Sequence, residues 1–157
     1  MKRNSKVIKR TKDGWEGIAK KVYKTDNGTF KDISRFSLLG EGEQEHELNM
    51  QTRYFEIESG GYSTLEYHNH PHSVVIIKGS GSMILGDEVI ALDVHDVVYI
   101  SPETLHQFHA DRGTELGFIC VVDRYRDRPS LPDETTLDEQ LGKNTPARQK
   151  ARTGTSK

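Results

Sequence analysis

Apolar and polar positions alternate in short runs through the middle of this chain, and Gly, Asn and Asp cut the runs apart. Val22-Tyr23-Lys24 leads into Thr25-Asp26-Asn27-Gly28, a strong hairpin signal, and Phe30 to Leu39 follows. Arg53 to Glu58 alternates with period two and breaks at Gly60-Gly61, after which Tyr62 to His70 resumes the pattern. Val74 to Ile77 is a continuous β-branched run that ends in Gly79 and Gly81. Ser82 to Leu85 turns at Gly86-Asp87 into Glu88 to Leu92, and Val97 to Ile100, Leu105 to Ala110 and Leu116 to Asp123 complete the series. About ten short strands at roughly ten-residue spacing, with hardly any helix, predict an all-β sandwich or barrel.

Outside that series the periodicity stops. Residues 1–12 and the stretch from 129 to 157 hold turn formers and charge, so both are expected to be largely disordered tails. A short helix over about 133–141 is compatible with Asp133 as its cap and with Leu137 and Leu141 four residues apart. Residues 13–52 then add strands or an arm ahead of a core at 53–128.

Composition sharpens this division. The first twelve residues carry six Lys and Arg and no acid, and residues 143–157 carry five and again no acid. That leaves 11 basic residues against all 24 acids, so the middle of the chain has a formal charge of −13 beneath a net −2. An acidic body argues against a phosphate-binding face and against specific nucleic-acid binding. The single cysteine, Cys120, forms no intrachain disulfide, and no apolar run reaches the ~20 residues of a membrane span or forms a secretory signal. A cytoplasmic protein is expected.

The chemistry lies in the histidines. His68, His70 and His72 fall within five residues, and His106 and His109 within four. On a strand, His68 and His70 share a face about 6.6 Å apart, close enough for two imidazoles to converge on one ion. A straight strand would carry His72 about 13 Å from His68, so convergence needs a bend, for which Pro71 is suited. His106 arrives from a distant strand. His109 has the opposite parity and faces away, as does Gln107. Glu66 shares the parity of His68, where it either orients a ligand imidazole, acts as a base, or is a solvated strand residue. Tyr54, Met83, Tyr99 and Phe108 line either a pocket or the core. Cys120, inside Phe118-Ile119-Cys120-Val121-Val122, reads as a buried, inert thiol.

The run from Gly61 through His68-Asn69-His70-Pro71-His72 to Gly79-Ser80-Gly81 resembles the first motif of the cupins. In that family a His-x-His pair is followed by a glutamate, then six residues and a glycine. Counting back seven from Gly79 puts His72 at the glutamate position. His95-Asp96-Val97-Val98-Tyr99-Ile100-Ser101-Pro102-Glu103-Thr104-Leu105-His106 is similar to the second motif, with His106 at the last metal-ligand position. His95, Ser101, Glu103 and Ala110 stand where the pattern prefers Gly, Pro, Gly and Asn. The resemblance covers about residues 53–123 and implies an antiparallel jelly roll whose mouth holds one divalent transition metal (Fe, Mn, Ni, Cu or Zn) on His68, His70, His106 and, as a fourth ligand or a neighbour of the ion, His72. Without the glutamate the ligand shell is neutral, which makes the ion a stronger Lewis acid. The implied function is a metal-dependent enzyme on a small organic substrate, a dioxygenase above all, with a decarboxylase or isomerase as further options. A non-catalytic cupin that binds a small ligand or metal as a sensor or partner module is the alternative. Exposed edge strands, and the frequency of dimers among cupins, imply a homodimer.

Overall fold

The computed structural model describes residues 5–23 and 28–154. Its eight strands are β1 (Lys20–Val22), β2 (Lys31–Leu39), β3 (Met50–Tyr62), β4 (His72–Leu85), β5 (Glu88–Asp93), β6 (Val97–Ile100), β7 (His106–Ala110) and β8 (Leu116–Asp123). Every pairing is antiparallel. β3 and β4 each pair with both β7 and β8, which closes the sheet into a barrel, while β2 and β1 extend it beyond β3 and β5 and β6 flank β4. The hairpin turn expected at 25–28 falls largely outside the described residues.

Ten expected runs become eight strands because a glycine bend joins two of them into one strand and another is almost wholly loop. Val74–Ile77 and Ser82–Leu85 are two halves of β4, joined through Gly79 at φ +69, where a Cβ would meet the Glu115 carbonyl oxygen at 1.6 Å. β3 likewise runs through Gly60-Gly61 to Tyr62. The run Tyr62–His70, by contrast, is not a strand after Tyr62. Residues 63–71 form a loop held by isolated bridges from Glu66 to His106 and from Tyr67 to Ser130.

Alternation decides what faces inward. Ile33 on β2, Phe55 and Ile57 on β3, Val74 and Ile76 on β4, Phe108 on β7 and Phe118 on β8 belong to one apolar core. Register places Phe118 opposite both Phe55 and Ile76, and its ring stacks on Phe55 at 5.5 Å and on Phe108 at 4.4 Å between centroids. Met83 belongs to this core, Tyr54 packs outside it against Trp15 and Phe36, and Tyr99 is 66% exposed.

Parts of both stretches expected to be tails pack against the barrel. The stretch 129–157, expected to be mostly disordered, holds helices α1 (Glu134–Leu141) and α2 (Pro146–Lys150). Asp133 caps α1 by accepting from the Thr136 amide at 2.8 Å, and Thr145 caps α2 through the Arg148 amide at 3.1 Å. Leu137, Leu141 and Ala147 are buried with Leu65, Ile84 and Leu105 in a second, smaller core. Three small apolar contacts suffice because hydrogen bonds complete the docking: Gln140 accepts from the Leu105 amide, and Gln107 bonds to both the carbonyl and the amide of Arg152. At the other end, residues 5–12 lie against the barrel with Lys6 paired to Glu45 and Arg10 4.8 Å above the Trp15 ring. Residues 1–4 and 155–157 lie outside the described residues.

Candidate metal centre

His72 opens β4 and His106 opens β7, while His68 and His70 stand in the loop before β4. The reciprocal bonds between the backbones of Glu66 and His106, at 3.1 and 3.0 Å, fasten that loop to β7 and bring His68 over His106. His68 and His70 stack face to face at 3.7 Å between centroids, in loop geometry and not by strand alternation. The ligand atoms of His68, His72 and His106 all lie within 4.8 Å of one another, and all three side chains are buried. Nitrogens that share one ion at ~2.0–2.1 Å sit ~3–3.5 Å apart, so small side-chain shifts would complete such a site.

Hydrogen bonds fix the tautomers. Nδ1 of His68 donates to the His70 carbonyl at 2.7 Å, Nδ1 of His106 to the Thr104 carbonyl at 2.9 Å, and Nδ1 of His70 to Asp127 Oδ1 at 2.8 Å. Each Nε2 is thereby left with a lone pair. The His68 Nε2 is buried with no hydrogen-bond partner among the described residues, an orphan that a cation would satisfy. His70 stands beside the trio, its Nε2 3.2 Å from that of His72. Burial, and then the neighbouring histidines and Arg53, push His72 down to about 2, and burial pushes His106 down to about 4. Both rings are therefore neutral donors at ordinary pH.

Two further side chains, Cys120 and Arg53, adjoin this cluster. Cys120 is buried as expected, but its Sγ lies 3.4 Å from His72 Nδ1 and receives a bond from Arg53 Nη2, also at 3.4 Å. Register explains the meeting, since β8 runs between β3 and β4 with Cys120 opposite Arg53 on one side and Val74 on the other. The available signal was the matching inward parity of Arg53 and Phe55. Burial raises the thiol and Arg53 opposes that. Glu66 shares the small recess with Cys120, His72, His106 and Arg53, and burial pushes its carboxyl up to about 7. Gln107 and His109 bond to each other on the opposite face of β7, away from the cluster.

An antiparallel barrel with clustered histidines where two of its strands begin defines a class, and the relatives agree. Residues 53–122 match the family profile described as "Cupin domain". The chain is 40% identical over 125 residues, 78% of its length and 77% of the relative's, to the 1-methylthio-D-xylulose 5-phosphate methylsulfurylase of Rhodospirillum rubrum. A cupin 2 conserved barrel domain protein from Rhodopseudomonas palustris superposes with a TM-score of 0.85 at 41% identity, covering 94% of this chain and all of that one. A cupin-2 domain from Rhodospirillum rubrum gives 0.75 at 38% identity, covering 83% and 85%. This chain belongs to the cupin family.

Proposed function

We propose that this cupin transfers a methylthio group from a small phosphorylated ketose to a thiol, with Cys120 as the sulfur acceptor and a divalent transition metal held by His68, His72 and His106, His70 completing the shell. The observation that carries this reading is the Cys120 thiol in the wall of the histidine cavity, 3.4 Å from His72. The 40% identical methylsulfurylase supports it, because its name specifies a methylthio group on carbon 1 of a phosphorylated keto-pentose. The dioxygenase expectation rests on family resemblance alone, and that relative's chemistry is different.

When bound, the ion supplies positive charge for the carbonyl oxygen of such a ketose. The remaining chemistry falls to the chain. Were the His72 Nε2 to hold the ion, the ring's proton would sit on Nδ1, 3.4 Å from Sγ, where together with the Arg53 guanidinium it would favour the thiolate. The thiolate attacks the substrate sulfur: an S–S bond forms, the bond from sulfur to carbon 1 breaks, and its electron pair stays on carbon 1 as an enolate. Glu66, still protonated near neutrality, is placed to protonate that carbon. The methyl disulfide on Cys120 is then reduced by a low-molecular-weight thiol, which leaves as the mixed disulfide. The test is turnover of 1-methylthio-D-xylulose 5-phosphate with an added thiol by the metal-loaded protein. Intact mass of the protein without added thiol should rise by one methylthio group less a hydrogen. An unmodified Cys120, or full activity in C120S, rules the mechanism out.

A further inference from the structure

A larger cavity of about 280 Å³ adjoins the recess that holds Cys120 and His106 and shares Arg53, Glu66 and His72 with it, but its wall has a different character. Arg35 on β2, Arg53 on β3 and Arg126 just after β8 all line it. Arg35 and Arg53 occupy inward positions: Arg35 pairs with Phe55, and Arg53 lies two residues from Phe55 on the same face. Beside the inward Ile33, Phe55 and Ile57, β2 and β3 thus spend two inward positions on guanidiniums, which proteins seldom bury unpaired. Little in the chain answers their charge. Among the described residues, Arg53 and Arg126 pair with no carboxylate, and Arg35 reaches Glu41 only at 3.9 Å. The buried Nε donors of Arg35 and Arg53 have no partner there. The cavity wall holds one carboxyl, Glu66, so even with Glu66 ionised three positive charges face one negative.

We propose that Arg35, Arg53 and Arg126 form a subsite for the phosphate monoester end of a small-molecule substrate whose other end reaches His72 and Cys120. The proposal rests on reading this cavity as the substrate site. Guanidinium forks match phosphate oxygens two at a time, and converging forks with unused donors suit a dianion better than a single carboxylate. Crowding agrees with this. Arg126 is held below the usual arginine range by burial and then by the charges of Arg53 and Arg35, a repulsion that a bound anion would relieve. In a body of −13 these three guanidiniums make a cationic lining inside an acidic surface, and a phosphate subsite there would run against the expectation drawn from overall charge.

The test is titration calorimetry on the full chain after chelator treatment, so that no metal competes for the anion. The probes are inorganic phosphate, D-ribose 5-phosphate and D-ribose. The two phosphates should bind and ribose should not. R35Q and R126Q, which alter half-buried side chains and should melt like the parent, should each weaken D-ribose 5-phosphate by about tenfold or more. No binding of either phosphate by the parent, binding of inorganic phosphate alone, or equal affinity in the parent and both arginine variants overturns the subsite. If the phosphates bind in an arginine-dependent way but no methylthio group is transferred, the subsite stands and only the transfer chemistry falls.

Discussion

At the scale of single residues, two side chains keep a backbone shape that the family gives to glycine. His95 and Glu103, which replace glycines of the second cupin motif, sit at φ +77 and +62. For residues with a Cβ this left-handed region costs about 1–2 kcal/mol, only partly offset by the smaller entropy loss on folding. His95→Gly and Glu103→Gly should therefore each raise stability by about 0.5–1 kcal/mol in urea unfolding. A loss would mean that their side chains do more than occupy a turn. The ligand set gives a second expectation. His106→Ala should reduce bound metal to well under one ion per chain, whereas C120S should keep its metal and lose turnover, as metal analysis beside an activity assay would show. That these histidines gather was legible from residue types and motif spacing, but not that His72, and not His70, completes the trio with His68 and His106. The cluster's geometry was not legible, because the parity argument assumed a strand where the chain forms a loop pinned by the Glu66 bridge to His106. Cys120 was legible as buried and illegible as a neighbour of His72, since cross-strand register is set by the whole sheet.

At the scale of elements, the strands were readable because a half-buried sheet writes its period into the sequence. The helices were harder. α1 announced itself by Asp133 and the Leu137/Leu141 pair. α2 did not, since one buried alanine and a set of amide bonds give no apolar period. These bonds carry a cost if broken. Deleting residues 145–157 would strip Gln107, which is fully buried, of two of its partners, and uncover Leu141. Each buried polar group left unpaired costs about 1–3 kcal/mol, so the deletion should lower stability by at least ~2 kcal/mol. Removing residues 1–9, which spares the contact of Arg10 with Trp15, should cost less than about 1 kcal/mol. Equal melting of the two deletions would show that α2 is only laid on the surface.

At the scale of the whole molecule, the buried histidines set a direction for acid sensitivity. His72, His106 and His109 are held down to about 2, about 4 and about 3, all below the 6.5 of a free histidine, chiefly by burial. Unfolded, each takes up a proton below about pH 6.5, so the stability they contribute is present above that value and drains away as pH falls toward 4 and then lower. Glu66, raised to about 7 from 4.5, has the opposite sign and favours the fold as pH falls through 7. In chelator-treated protein between pH 6 and pH 5, stability should fall by up to about 1.4 kcal/mol per pH unit for each such histidine, less the offset from Glu66. E66Q should make the fall steeper. A flat urea-unfolding profile across this window would show that the rings are protonated in the folded chain. No helix among the described residues is long and apolar enough to cross a membrane.

The amide of Gln107 grips Arg152 from the strand that carries His106, 45 residues earlier. On the ribosome that order matters. β7 emerges well before the segment that covers its outer face, so the His106 strand waits half-clad until residues 145–152 have been made. A chain ending at Asn144 should therefore hold metal more loosely than the full chain, as metal analysis of the two purified proteins would show.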